Sequence, residues 1–321
     1  TILKATKGNI TFASKFLHNG GIVAFPTETV YGLGALASDK EAVNRVYKVK
    51  GRPKNNPLIV HIFKIEQVKS IAENIPSDAI KLIEKYWPGP LTIILPFKKT
   101  SNICSMARAN LNTIALRIPN HPIALKLLEE VNAPLIAPSA NISQHLSPTC
   151  AEHVKSDLFN NLNSKKDIIL DGGNSKIGLE STVIDFTKSI PKVLRPGGLN
   201  ISLIKTIIKI SFNESNINES KPLSPGLFKK HYAPKALLRL NANFPLEGEA
   251  WLGFGKDPKN LNNFTKRNLS PNENLDEAAR NLFSMLRSLD KIKVKKIAVK
   301  TIPHKEIGIA INDRLKRASS N

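Results

Sequence analysis

Cysteine is nearly missing: the 321 residues hold two, Cys104 and Cys150. So few, at no zinc-ligand spacing, exclude a disulfide scaffold and a zinc module. They fit structural thiols in a reduced, cytoplasmic compartment. Long apolar runs are missing too. None approaches the ~18–20 residues of a membrane span, and the polar N-terminus lacks a signal-peptide core, so no membrane role is expected. Standard nucleotide and metal signatures also fail. There is no G-x-x-x-x-G-K-[ST] phosphate loop, no H-E-x-x-H pair and no Cys/His cluster, so no protein-held metal is expected. Gly32-x-Gly34-x-x-Ala37 mimics a dinucleotide fingerprint. About 20 residues on, however, Arg52 to Asn56 is basic where an acidic ribose ligand is needed. Ser139 lacks the G-x-S-x-G elbow and an evident His–Asp partnership, which argues against a covalent serine mechanism.

What is present is an ordinary globular composition, 41% hydrophobic and 23% charged, long enough for two domains with normal cores. The net charge of +21 invites a nucleic-acid reading. Residues 1–205 hold 26 basic and 15 acidic side chains and the remainder 21 and 11, so the excess is spread along the chain. Its 36 lysines against 11 arginines, with abundant asparagine, point to composition bias as much as to a selected surface. The basic field would still draw in polyanions such as ATP or tRNA.

The stretch from Phe25 to His61 organises the chain. An apolar strand, Ile22–Phe25, stops at Pro26 and gives way to a turn of hydroxyls and glycines, Pro26 to Gly34. Ser38-Asp39-Lys40-Glu41 has the capping-box pattern, and the helix after it runs into Lys50-Gly51-Arg52-Pro53-Lys54-Asn55-Asn56-Pro57. A second apolar run, Leu58 to Ile62, carries His61. Donor-rich loops at strand ends are where open α/β sheets bind ligands, and this one suits an anion, most simply a phosphate.

Helices are predicted over 11–19, 65–74, 77–87, 123–131 and 202–210, and strands over 91–95, 113–118, 134–137, 167–170, 181–186 and 192–195. Arg117, inside the apolar alternation of 113–118, needs a carboxylate or phosphate partner; the alternative is a structural ion pair at an edge strand. Residues 211–235 form a linker, and its segment Ser224–Pro234 combines aromatics, cations and prolines as if to dock on something. After it come strand 236–240, strand 250–254, helix 275–289, strand 296–302 and helix 308–318, a small α/β unit. The expected layout is therefore 1–210, a 211–235 linker and 236–321.

The remaining chemistry lies in cations (Lys50, Arg52, Arg117, Arg195), hydroxyls (Thr27, Thr29, Ser139, Ser181, Thr182) and amides (Asn56, Asn141), each from a loop or strand end. Such a set suits positioning and electrostatic stabilisation of a phosphoryl or nucleotidyl transfer without a protein nucleophile.

Several of these segments match a known family. Phe-Pro-Thr-Glu-Thr-Val-Tyr-Gly-Leu at 25–33, Lys-x-Arg-Pro at 50–53, Asn-Pro-Leu-Ile-Val-His at 56–61, Ala-Leu-Arg-Ile-Pro at 115–119 and Ala-Pro-Ser-Ala-Asn at 137–141 resemble the YrdC-like threonylcarbamoyl-AMP synthases. So do Glu-Ser-Thr-Val-Ile-Asp at 180–185 and Leu-Arg-Pro-Gly at 194–197. Ser-Pro-Gly…His-Tyr-Ala-Pro at 224–234 and Ala-Ile-Asn-Asp-Arg-Leu at 310–315 resemble the long, two-domain form. The resemblance implies a twisted mixed-sheet α/β catalytic domain with a smaller α/β C-terminal domain. It implies condensation of L-threonine, bicarbonate or CO2, and ATP, with Mg²⁺, to threonylcarbamoyl-AMP and pyrophosphate. A partner complex then transfers the threonylcarbamoyl group to tRNA. The signature falls on Lys50, Arg52, Ser139 and Asn141. Threonine would be held by Thr29, His61, Arg117 and Ser181. ATP would contact Arg52, Asn56, Thr113, Ala137 (by backbone), Ser139, Ser147 and Arg195, with Tyr232 of the connecting segment closing over it. One position departs: where the family commonly has a glycine after Ser-Ala-Asn-x-Ser, this chain has Gln144, beside the loop that holds Ser147. The rival reading is a tRNA- or double-stranded-RNA-binding module without turnover. A second rival, carbamoyl transfer in hydrogenase maturation, needs zinc-finger and acylphosphatase-like regions that the sequence lacks.

Overall fold

A computed structural model describes residues 1–163, 165–212 and 232–319. The first part supplies β1 (Ile2–Lys4), α1 (Lys7–His18), β2 (Ile22–Phe25), β3 (Gly32–Leu36), α2 (Lys40–Lys50) and β4 (Ile59–His61). It continues with α3 (Val68–Ile71), α4 (Ser77–Tyr86), β5 (Leu91–Pro96), β6 (Thr113–Arg117), α5 (Pro122–Val131) and β7 (Leu135–Ile136). α6 (Ala151–Leu158), β8 (Asp167–Asp171), β9 (Thr182–Asp185), β10 (Lys192–Arg195), α7 (Ile201–Lys205) and β11 (Ser211–Phe212) complete it. Its strands form one mixed sheet in the order β1-β8-β2-β3-β7-β4-β6-β5-β9-β10-β11. The second part holds β12 (Leu237–Ala242), β13 (Glu249–Gly253), β14 (Lys266–Asn268), α8 (Leu275–Lys291), β15 (Lys296–Lys300) and α9 (Gly308–Ala318), with an all-parallel sheet in the order β12-β15-β13-β14.

The large sheet is covered on both faces. In β2, Ile22 and Ala24 point into a core with Val43, Val46 and Tyr47 of α2, while Val23 and Phe25 meet Ala13 and Leu17 of α1 and Leu127 and Leu128 of α5. That two-sided demand explains why β2 reads as a continuous apolar run. α2 begins where Asp39 Oδ1 accepts from the Glu41 and Ala42 N–H groups (2.9 and 3.0 Å). It ends at Gly51 in the left-handed region (φ 60°), so the chain turns and Arg52 leaves the helix axis. In the second part Leu282, Phe283 and Leu286 of α8 share a core with Val30, Leu146 and Leu179 of the first. The two domains are thus joined by buried apolar surface.

Several expectations are corrected. Gly32-Leu33-Gly34, expected as the end of a turn, instead open strand β3, antiparallel to β2. Gly34 lets the two strands lie close, because a β-carbon there would press on the Phe25 ring at 2.7 Å. α1 begins four residues before the predicted helix, since Thr6 accepts from Asn9 N–H. The helix predicted over 65–74 is a 3-10 turn, Ile65–Gln67, running into the single turn α3. The helix predicted over 202–210 stops at Lys205. β6 lies between β4 and β5, so Arg117 is on an interior strand and not at an edge. Of the connecting segment 224–234, residues 224–231 lie outside the described residues.

The Leu-Arg-Pro-Gly motif is explained by contact. A β-carbon on Gly197 would collide with the Glu180 and Ser181 backbone. Gly197→Ala is therefore expected to cost about 1–3 kcal/mol of stability, read as a lower urea midpoint with an unchanged slope.

Candidate active site

Strand register places three of the predicted residues on one face of the sheet. His61 pairs with Arg117 between β4 and β6, and the period of two places Thr113 on the same face as Arg117. Ala137 joins it from the end of β7, its N–H donating to Ile59 O (3.0 Å). Ile59, Ile94, Ala115 and Val183 form a small apolar floor. Beyond it, Ser181 Oγ lies 2.7 Å from Thr92 Oγ1. Arg195 reaches back from β10 to donate to Ser181 O (2.9 Å) and Ser181 Oγ (3.2 Å).

The signature loops meet at the rim. Lys50 Nζ donates to Ser139 O and Asn141 O, both at 2.6 Å, and lies 3.4 Å from Asn141 Oδ1. Asn141 Nδ2 in turn donates to His145 O (2.8 Å). Arg52 donates to Asn56 O (3.1 Å), Asn56 Oδ1 (2.6 Å) and Pro57 O (2.8 Å). Both cations are buried, and among the described residues neither forms an ion pair. Burial, reinforced by Arg52, holds the Lys50 ammonium well below the usual lysine range. Burial pushes Arg52 down to about 10, although Tyr47 and Tyr232 work the other way and Arg195 adds to the lowering. Arg195 and Tyr232 therefore sit within the electrostatic reach of Arg52. Lysine and arginine held this way by neutral oxygens make an environment that suits an anion.

Arg117 is engaged inside the protein. Its Nη2 donates to Glu28 Oε1 (2.6 Å) and Thr29 Oγ1 (2.9 Å), and its Nε to Gly89 O (3.2 Å). Of the carboxylate or phosphate partner that the sequence calls for, the structure supplies the carboxylate of Glu28. Thr27 Oγ1 lies 2.8 Å from Thr29 Oγ1 and donates to Val30 O (2.6 Å), which closes the turn beneath them. His61 places Nδ1 3.3 Å from Ile59 O, and burial, then Arg117, pushes it down to about 3, so the imidazole is neutral. Ser147 donates a short hydrogen bond to Glu180. Gln144 adopts φ 70°, the left-handed backbone for which a glycine is suited, and its carbonyl accepts from Ala233 N–H (3.0 Å) in the connecting segment. Thr182 stands apart from the set: it donates to Leu199 O (2.6 Å) and accepts from Leu199 N–H (3.1 Å), tying β9 to the loop before α7.

Sequence reasoning gave no role to Glu28, Thr92, Glu180 or Arg314, whose Nε donates to Glu180 Oε2 (2.8 Å). Three of the four lie inside the quoted segments, at 25–33, 180–185 and 310–315. Their pairing across the chain has no local signal.

The fold and this site define a class: a two-domain mixed-sheet protein whose buried cations and hydroxyls are set out to position an anionic substrate. The comparisons carry the assignment further. The Sua5_yciO_yrdC family model, described as "Telomere recombination", matches residues 15–197, and "Threonylcarbamoyl-AMP synthase, C-terminal domain" matches residues 199–320. The chain belongs to the Sua5/YciO/YrdC family. It is 40% identical to a Pyrococcus abyssi protein named threonylcarbamoyl-AMP synthase, over 97% of this chain and 94% of that one. A Bacillus subtilis protein of the same name is 38% identical over 99% and 94%. The crystal structure of P. abyssi Sua5 complexed with L-threonine superposes with a TM-score of 0.89 at 38% identity, covering 99% of this chain and 96% of that one.

The neutral, buried imidazole has a consequence for stability. An unfolded histidine protonates near pH 6.5, whereas folded His61 does so at about 3. The unfolded chain therefore binds the extra proton across that interval, and His61 alone lowers stability by up to about 1.4 kcal/mol per pH unit below about 6.5. His153, also lowered by burial and Arg287, acts in the same direction. The urea midpoint is expected to fall from pH 7 to pH 5, and less steeply in His61→Gln. Equal slopes for the two proteins would contradict this.

Proposed function

We propose that the chain is an L-threonylcarbamoyladenylate synthase: it condenses L-threonine, bicarbonate or CO2, and ATP to threonylcarbamoyl-AMP and pyrophosphate. The full-length relatives of that name support the activity. The observation that carries the chemistry is the pair of buried cations, Lys50 and Arg52, held by neutral oxygens at the Ser139–Asn141 loop. In this reading the neutral amine of threonine attacks CO2 and loses a proton, giving a carbamate. A carbamate oxygen then attacks the α-phosphorus of ATP, a new P–O bond forms, and the bond to pyrophosphate breaks. Lys50 and Arg52 offset the charge that builds on the phosphates. No side chain is covalently modified.

For threonine, Nη1 of Arg117 takes the carboxylate, with Thr29 and Ser181 hydroxyls beside it. With Nδ1–H directed at Ile59 O, His61 offers the lone pair of Nε2 to the substrate's hydroxyl or amine. ATP lies along Arg52, Asn56, Thr113, the Ala137 backbone, Ser139, Ser147 and Arg195, under Tyr232. The N–H of Ala137 is used within the protein, so its carbonyl makes that contact. Mg²⁺ enters as the counter-ion of ATP, held by phosphates and water. Among the described residues no group of three or more His, Cys, Asp or Glu is arranged to hold an ion.

Residues 1–210 carry the reaction, 211–235 connect and close, and 236–321 form the second domain. The product is an activated carbonyl, to be passed to a threonylcarbamoyl transferase complex acting on tRNA. A cytoplasmic site follows from that partnership; among the described residues no helix is long and apolar enough to cross a membrane. The basic charge favours weak tRNA binding as a secondary property.

The test is pyrophosphate release from ATP with threonine and bicarbonate omitted in turn; each omission is expected to abolish it. Salt-sensitive RNA binding without turnover would favour the RNA-binding module. Lys50→Met and Arg52→Met are each expected to lower kcat by about 10²–10³ while far-ultraviolet circular dichroism stays unchanged. Near-normal turnover in both would refute their roles.

A further inference from the structure

The C-terminal domain reaches the proposed nucleotide site through one side chain. Arg314, on α9, is 1% exposed and lies against the first domain. Its Nε donates to Glu180 Oε2 (2.8 Å) and its Nη1 to Asp313 Oδ2 (2.6 Å). Its guanidinium sits over the Tyr232 ring, 4.9 Å from the centroid, and that ring also stacks on Phe283 of α8 at 5.7 Å. Glu180 uses its second oxygen to accept the Ser147 hydroxyl, and it directly precedes Ser181. One arginine thus fixes two groups placed around ATP: Ser147 through Glu180, and Tyr232 through its ring face.

Stability alone does not account for this arginine. Its Nη2 is buried with no acceptor among the described residues, an orphaned donor that packing alone would not favour. A well-packed apolar side chain would join the domains at least as firmly. The interface already has such surface, where Val30, Leu146 and Leu179 meet α8, and a second ion pair, Arg287 with Asp157 at 2.6 Å. What an apolar residue does not supply is a fixed orientation for the Glu180 carboxylate. Burial acts to raise the Glu180 carboxyl, but Arg314 and Arg195 outweigh it, so it stays ionised and accepts the Ser147 hydroxyl. Without Arg314 that carboxylate is drawn toward Arg195, which the same reading assigns to ATP.

We infer that Arg314 is a positioning residue for the nucleotide site, by which the second domain sets the orientation of Ser147 and Tyr232 and hence the affinity for ATP. The inference rests on the synthase reading and specifies what the second domain does in it.

The experiment compares the full-length chain with Arg314→Gln, Arg314→Lys, Ser147→Ala, the Arg314→Gln/Ser147→Ala double variant and Arg280→Ala. Arg280 donates to Lys176 O (2.9 Å) at the same interface, at a distance from the site groups along the chain, and serves as the docking control. Arg314→Gln is expected to raise KM for ATP at least tenfold and to leave KM for threonine within twofold. Arg314→Lys keeps the charge but not the planar face, and falls between. In the Ser147→Ala background, the change at 314 is expected to cost less than a third of its effect in the wild-type background, because the two residues act as one unit. Arg280→Ala leaves both constants unchanged. Fully additive losses, equal rises in the two KM values, or wild-type behaviour of Arg314→Lys would each overturn the inference. Calorimetric binding of a non-hydrolysable ATP analogue to the same variants keeps the failures apart. If the wild type binds the analogue but releases no pyrophosphate, the synthase reading falls, and the tenfold loss of binding in Arg314→Gln is still tested.

Discussion

Among the described residues two positive side chains, Lys50 and Arg52, are buried without an ion-pair partner, and the surrounding structure is arranged to keep them there. A desolvated ammonium or guanidinium costs several kcal/mol even after relaxation. The protein answers that cost with oriented carbonyls instead of carboxylates. Lys50 ends α2, where the helix dipole favours a cation, and two further carbonyls from the Ser139–Asn141 loop complete its shell. Arg52 is turned by the left-handed Gly51 into the carbonyls of Asn56 and Pro57. Dipoles stabilise the charges without cancelling them, so the field remains for a substrate. A carboxylate in the same place would have made a tighter fold and a weaker anion site.

The acids near the site follow the same logic from the other side. Glu28 is committed to Arg117 at 2.6 Å and Glu180 to Arg314 at 2.8 Å, each pair well buried. Each neutralised acid then acts as a strut: Glu28 holds the Arg117 guanidinium, and Glu180 holds the Ser147 hydroxyl. The positive balance of the pocket therefore comes from Lys50 and Arg52, while Arg117 and Arg314, each held by a glutamate, supply geometry. This division makes Arg117 a poorer open fork than its place in an apolar strand suggests, since Nε and Nη2 are already in use.

Much of this was legible in the sequence where a local rule applies. Ile22–Phe25, Lys192–Arg195 and Gly308–Ala318 have the bounds read from their patterns, because a buried strand and an amphipathic helix each leave a period. β1, β14 and α6 left no such trace. The two strands are three residues long, and α6 starts at Cys150 with no side-chain cap and buries only Ala151, Val154 and Leu158. Gln144 was visible as a departure from a family glycine, and its φ of 70° shows what the glycine is for. The partners of Arg117 and Glu180 were not visible, since they join positions 89 and 134 residues apart. Motifs located the charged residues; only the fold says which of them neutralise one another.

That distinction bears on how such a site can work. Ser139 lies in the signature, yet among the described residues no hydrogen bond joins its hydroxyl to a base, and His61 has its Nδ1 3.3 Å from the carbonyl of Ile59. What Ser139 contributes to Lys50 is its backbone oxygen. A site without an activated nucleophile accelerates a reaction by holding the reactants in line and by stabilising charge as it moves. Both effects depend on small displacements of groups that do no chemistry themselves. In such a design a second domain need not supply a reacting atom to matter. It is enough that α9 delivers one guanidinium to a carboxylate whose other oxygen holds a hydroxyl, and that the same guanidinium lies on the Tyr232 ring.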